Sequence, residues 1–318
     1  MRLLFWGTPD FATPSLRALV GEGFDVVGVV TQPDKPQGRS RSRLVPSPVK
    51  EVALAEGIPV LQPARPRGPE FLEALRALGA DASIVVAYGH VLVPDVIDAP
   101  PKGTLNVHAS LLPALRGAAP IQAAIRQGLD ETGISVMRVI PALDAGPVLL
   151  QIATPIASDE TYGELALRLS ELGAQALIEA LALMDMGAAH ETPQDDARAT
   201  YAPKVNRGTA RIDWGHPATE VARLIRSADP KPGAVTSGPA GEIKLFGAQL
   251  LAEPPVPRAG GVTALPGAVL DVSADGLTVA CGSGAVRVTQ VQPSGRPAMR
   301  PADWARGRGV AIGQRLGV

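Results

Sequence analysis

Between Leu3 and Ile140, short β-type apolar runs alternate with segments of helical spacing, and this alternation restricts the possible folds more than any other property of the chain. Leu3–Trp6, Asp25–Thr31, Ile58–Leu61, Ala82–Ala87, Thr104–His108 and Ile134–Ile140 are predicted strands. Phe11–Val20, Pro48–Glu56, Pro69–Leu78 and Ala119–Gln127 space apolar residues by three and four and carry Gly or Pro at their edges, which predicts helices. Such alternation implies an α/β unit, a mostly parallel sheet with helices on both faces.

The pattern then changes. A long helix is predicted from Tyr162 to Met186, closed by Gly187, and the polar, Pro-containing stretch Glu191–Ala202 reads as an interdomain linker. After Gly208 a helix at Glu220–Ser227 accompanies short strands at Ile243–Phe246, Ala268–Val272, Leu277–Ala280 and Ala285–Val291, which predicts a small β-barrel. The expected domains are 1–189 and 208–318, joined by 190–207.

The length of 318 residues supports two domains with their own cores. A single cysteine, Cys281, rules out a disulfide framework. No stretch of about 20 residues is uninterruptedly apolar and the first residues are too short an apolar run for a signal peptide, so a cytoplasmic protein without a membrane partner is expected. Net charge is −1, but a cut after Val205 leaves −6 on the first part and +5 on the second. A basic C-terminal module suits a polyanionic partner, and it also suits an ordinary solvated surface.

In open parallel sheets ligands bind beyond the carboxyl ends of the strands, where Tyr88-Gly89-His90, Asn106–Ser110 and Pro141–Gly146 fall. The first turn, Gly7-Thr8-Pro9-Asp10-Phe11, has one glycine where a dinucleotide site needs three, so no nicotinamide or flavin is expected. His90, His108, His190 and His216 are dispersed, so no metal is expected. Asn106 and His108 lie two apart in a strand and share a face. An amide can donate to a developing oxyanion while an imidazole moves a proton, and Asp144 in a Gly/Pro-bounded loop can orient the imidazole. Taken singly, each has a plainer use: a strand-end histidine, a turn-forming asparagine, a capping aspartate. Together they outline an acyl-transfer site that needs no Ser or Cys nucleophile.

Asn106–Gln122 resembles the signature N-V-H-x-S-L-L-P-x-x-R-G-A-A-P-I-Q of the methionyl-tRNA formyltransferases. The resemblance extends along nearly the whole chain through Phe5–Phe11, Thr31–Asp34, Pro46–Lys50, Val85–Gly89, Ala210–Trp214 and Gln292–Arg296. It implies a Rossmann-like domain that binds 10-formyltetrahydrofolate and an OB-like barrel that grips initiator methionyl-tRNA, in a protein expected to be a monomer. It further implies that Asn106, His108 and Asp144 are catalytic. By the same resemblance Ser110, Leu111, Leu112 and Pro113 line the folate site, and backbone around Tyr88, Gly89, His90, Leu92, Ile140 and Leu143 receives the pterin.

The run Asp34–Arg43 is too charged and too rich in Gly and Ser to pack, so on composition it is a solvated loop. The resemblance makes Arg39, Arg41 and Arg43 contacts to the tRNA acceptor end, a role suited to the planar guanidinium. The chain departs from the family pattern at Ala114, usually basic, and at Ala145 and Pro147, where a hydroxyl and a carboxylate are common. It also lacks an aromatic residue before Pro230-Lys231-Pro232-Gly233. The alternatives are a folate-dependent formyltransferase acting on an amino sugar nucleotide or purine ribotide, and an idle RNA-binding protein. The basic module and arginine run argue against the first, and the intact trio against the second.

Overall fold

The computed structural model describes residues 1–37, 43–238, 241–251 and 264–317. The chain divides into two compact units: unit 1 holds 1–120, 132–155 and 166–202, and unit 2 holds 121–131, 156–165 and 203–318.

Unit 1 is built on strands β1 (Arg2–Gly7), β2 (Asp25–Val30), β5 (Val60–Leu61), β6 (Ala82–Val86), β7 (Thr104–His108), β8 (Glu131–Arg138) and β9 (Val148–Pro155). Their order is β5-β2-β1-β6-β7-β8-β9. The ladders from β5 to β7 are parallel, as expected, and β8 runs antiparallel to β7 with Asn106 opposite Met137 and His108 opposite Ser135. A separate ladder pairs β3 (Lys35–Gln37) with β4 (Arg43–Val45). Helices α1 (Thr13–Gly21), α2 (Pro48–Ala55), α3 (Pro69–Ala77) and α4 (Pro94–Ile97) lie between the strands. Their starts follow from the sequence: Pro48 occupies the first turn of α2, and the Ser47 side chain accepts the Lys50 N–H.

Alternation along β1 assigns the two faces. Leu4 and Trp6 pack with Leu75, Tyr88, Leu92 and Val96 in one cluster, while Leu3 and Phe5, equally buried, point to the opposite face. Below β7 and β8 the long helix α6 (Tyr162–Asp185), which follows α5 (Pro120–Gln127), approaches through Gly173, where a Cβ would come within 3.1 Å of Val107 and 3.5 Å of Ile134. Val107 faces α6, so Asn106 and His108 face the other way.

In unit 2 the strands β10 (Ala234–Gly238), β11 (Gly241–Leu250), β12 (Val269–Ser273), β13 (Gly276–Ala280) and β14 (Ala285–Pro293) form an antiparallel sheet in the order β10-β11-β14-β13-β12. Its core joins Val221 and Ile225 of α7 (Ala218–Ser227) to Leu245, Leu277, Val286, Val288 and Trp304, the last on α8 (Pro301–Arg306). Strand β10 and helix α8 add to the sequence reading. Among the described residues no helix is long and apolar enough to cross a membrane.

Candidate active site

His108 closes β7 almost buried, with 6% of its side chain exposed. Its Nε2 lies 3.0 Å from the Leu115 carbonyl oxygen. A carbonyl only accepts, so Nε2 carries a hydrogen and the neutral ring keeps Nδ1 as a free base. Nδ1 is 3.7 Å from Asp144 Oδ2, too far for a direct hydrogen bond. The same Oδ2 accepts the Gly117 N–H at 2.8 Å, which fixes it on the His108 side of the loop. Asn106 is half-buried on the same strand face, and its amide makes no protein hydrogen bond among the described residues.

The loops that carry these groups hold unusual backbone. Leu115 and Asp144 both adopt left-handed conformations, with φ of 59° and 48°. Non-glycine residues hold such values only when their surroundings fix them. The surroundings come from the segment read as a linker. Thr192 exchanges backbone hydrogen bonds with Val148, Thr200 Oγ1 accepts the Leu115 N–H at 2.9 Å, and the Arg116 and Ala202 backbones pair. Arg116, 3% exposed, donates to Gln194 Oε1 at 2.8 Å and to Asp196 Oδ1 at 2.8 Å. Gln194 Nε2 in turn donates to the carbonyls of Asp144 and Gly146, at 2.9 and 2.7 Å. Residues up to Ala202 are therefore a strap on unit 1, and the linker reading is corrected accordingly. Its polar, aperiodic composition is what a strap bonding to backbone requires, and such composition looks the same as a free connection.

The expected folate residues take two kinds of position. Tyr88 and Leu92 spend their side chains on the core, with Tyr88 edge-on to Trp6 at 5.2 Å between centroids. Burial pushes the Tyr88 phenol up to about 12. These two residues have only backbone to offer a ligand, and the Tyr88 carbonyl already accepts from Thr8 and Gln32. Ser110 and Leu112 are also buried: Ser110 Oγ donates to the Ala114 carbonyl, and the Leu112 N–H donates to Ser135 Oγ. Gln151 on β9 donates to the Leu112 carbonyl, so the turn is stapled to the sheet. Leu111 and Pro113 are half-buried, and Gly89, His90, Ile140 and Leu143 are exposed.

Arg39 and Arg41 lie outside the described residues, and Arg43 is described in its backbone alone, at the start of β4. Close to that ladder in sequence, Lys50 Nζ and Gln62 Nε2 each donate to Asp34 at 2.7 Å. Those two bonds, Lys50's first, hold the Asp34 carboxyl below its usual value.

The formyl transferase family pattern matches residues 1–181, and that of the formyl transferase C-terminal domain matches 204–309. A methionyl-tRNA formyltransferase from Symbiobacterium thermophilum is 46% identical over 317 residues, spanning 99% of this chain and 95% of its own. Another, from Moorella thermoacetica, is 43% identical and spans 100% and 99%. The chain belongs to the methionyl-tRNA formyltransferase family. Among solved structures, HypX from Aquifex aeolicus in complex with tetrahydrofolic acid shares the fold at a TM-score of 0.67 and 20% identity, over 95% of this chain and 46% of that one, so this chain spans about half of HypX. A methionyl-tRNA formyltransferase from Clostridium thermocellum shares it at 0.55 and 11%, over 79% and 94%.

At Ala114 the backbone carbonyl accepts the Ser110 hydroxyl, and at Pro147 the carbonyl accepts the Arg138 N–H. Val91, Ile140 and Leu143 stay 80%, 39% and 57% exposed, Val91 in the loop after β6 and the other two in the loop after β8.

Proposed function

We propose that the chain transfers the formyl group of 10-formyltetrahydrofolate to the α-amino group of initiator methionyl-tRNA, with Asn106, His108 and Asp144 as the transfer residues. The observation that carries the assignment of roles is the division of hydrogen bonds on one strand face. Among the described residues Asn106 makes no side-chain hydrogen bond and His108 Nδ1 makes none, and Asp144 is fixed 3.7 Å from that nitrogen.

Attack of the amine on the formyl carbon moves negative charge onto the formyl oxygen, where the Asn106 amide donates. The proton shed by the amine goes to His108 Nδ1, whose cationic ring the Asp144 carboxylate stabilises. It is returned to the departing folate nitrogen. Holding both reactants over one strand end supplies the rest of the acceleration by orientation. Ser110–Pro113, Gly89, His90, Ile140 and Leu143 form the folate site, together with the backbone of Tyr88 and Leu92. Arg39, Arg41 and Arg43 contact the tRNA acceptor end. The protein works as a cytoplasmic monomer.

The decisive assay incubates the protein with 10-formyltetrahydrofolate and charged initiator tRNA and follows formylmethionyl ester by mass spectrometry, with an amino sugar nucleotide as competing acceptor. Formylation of the aminoacyl ester alone is expected. Formylation of the sugar alone would overturn the acceptor assignment.

A further inference from the structure

We propose that Gln194 is the positioning residue of the Asp144 loop: its side-chain amide clamps the backbone on both sides of Ala145 and so sets where the Asp144 carboxylate stands relative to His108. The inference rests on the role given to Asp144 above. Gln194 is half-buried, and both ends of its side-chain amide are engaged. Nε2 donates to the carbonyls of Asp144 and Gly146, and Oε1 accepts from the buried guanidinium of Arg116 at 3.0 and 2.8 Å. Arg116 also belongs to the backbone turn that supplies both other fixed partners of the site: the Leu115 carbonyl that holds His108 Nε2 and the Gly117 N–H that holds Asp144 Oδ2. One amide thus ties the acid's loop to the turn that orients the base. Besides these bonds, the Gly117 N–H on Asp144 Oδ2 and the Arg138 N–H on the Pro147 carbonyl hold the loop at its two ends. Asp144 is in a strained left-handed conformation, the Ala145 N–H reaches the Ala142 carbonyl at a long 3.4 Å, and Ala145 and Pro147 bring no polar side chain.

An amide is the group this geometry demands. Two carbonyls require two donors and the guanidinium requires an acceptor, and only Asn or Gln offers both at one terminus. Gln194→Glu separates holding the fold from placing the acid. It keeps and strengthens the bond to Arg116, but sets a carboxylate oxygen against two carbonyl oxygens.

The test uses the full chain and compares the parent, Gln194→Glu, Asp144→Asn and the double variant, measuring kcat, KM for each substrate and thermal midpoint. Gln194→Glu is expected to stay folded and to lower kcat about 10- to 100-fold, the loss typical of an ångström-scale misplacement. KM for tRNA should stay within about threefold, because none of the affected contacts lies in the arginine run assigned to it. In the Asp144→Asn background the same change should cost no more than about twofold, since its effect passes through that carboxylate. A folded Gln194→Glu with parental kcat overturns the proposal, and so do losses that multiply in the double variant. If Gln194→Glu fails to fold, Gln194→Met, equal in length and uncharged, is read by the same criteria. Parental kcat in Asp144→Asn itself would instead overturn the assignment of Asp144.

Discussion

Asn106 offers a clean separation of chemistry from stability, because its amide makes no hydrogen bond among the described residues. Asn106→Ala should lower kcat by about 10²–10³-fold, the usual consequence of removing an oxyanion donor. It should leave the thermal midpoint within about 2 °C, since no internal bond is removed. A kcat within a fewfold of the parent, in the formylation assay, would remove Asn106 from the mechanism. Asn106 and His108 were legible in the sequence because strand periodicity alone places residues two apart on one face. Asp144 was legible through its turn-forming neighbours. Gln194 was not, because its partners are carbonyls 48 and 50 positions away and any residue supplies a carbonyl.

At the scale of elements, the parallel strands were readable to within a residue or two, since each is a continuous apolar run. The reversal of β8 was not, because an apolar strand carries no mark of its direction. Strand β9 also escaped, as its burial alternates between half-buried and exposed along most of its length. The loop between β8 and β9 depends on a close approach: a Cβ on Gly146 would stand 1.9 Å from the Arg138 carbonyl oxygen, which is backbone and cannot yield. Gly146→Ala should therefore cost about 1–3 kcal/mol in urea denaturation and depress kcat by displacing Asp144. Unchanged values of both would show that the loop can move aside freely. The ladder β3–β4 was hidden because its strands, Lys35-Pro36-Gln37 and Arg43-Leu44-Val45, are only three residues long. Replacing Arg39, Arg41 and Arg43 with Ala should raise KM for tRNA and flatten its salt dependence, by about 0.7–0.9 in the log–log slope for each phosphate that is no longer neutralised. An unaltered slope would leave these side chains solvated and idle.

Across the whole molecule, the charge asymmetry and the change from alternating to all-β patterning foretold two modules, but not where one ends. The strap's hydrogen bonds place the end of unit 1 at Ala202. Limited trypsin digestion should accordingly cut after exposed Lys204 before exposed Arg198, whose flanking backbone is bonded, as N-terminal sequencing of the first fragment would reveal. Early cleavage at Arg198 would restore a loose linker. Unit 2 carries its own reporter in Cys281, the chain's single thiol, which is 5% exposed and pushed by burial from 9.0 to about 12. The thiolate is the reactive form, so at pH 8 the folded thiol should resist a disulfide reagent and label at the rate of unit 2 opening. The unfolded thiol ionises near pH 9 and the folded one only near 12. Between these values the unfolded state therefore binds fewer protons, and this group's contribution to stability declines as pH rises. Labelling of the native protein as fast as a free thiol at pH 8 would contradict a closed core in unit 2.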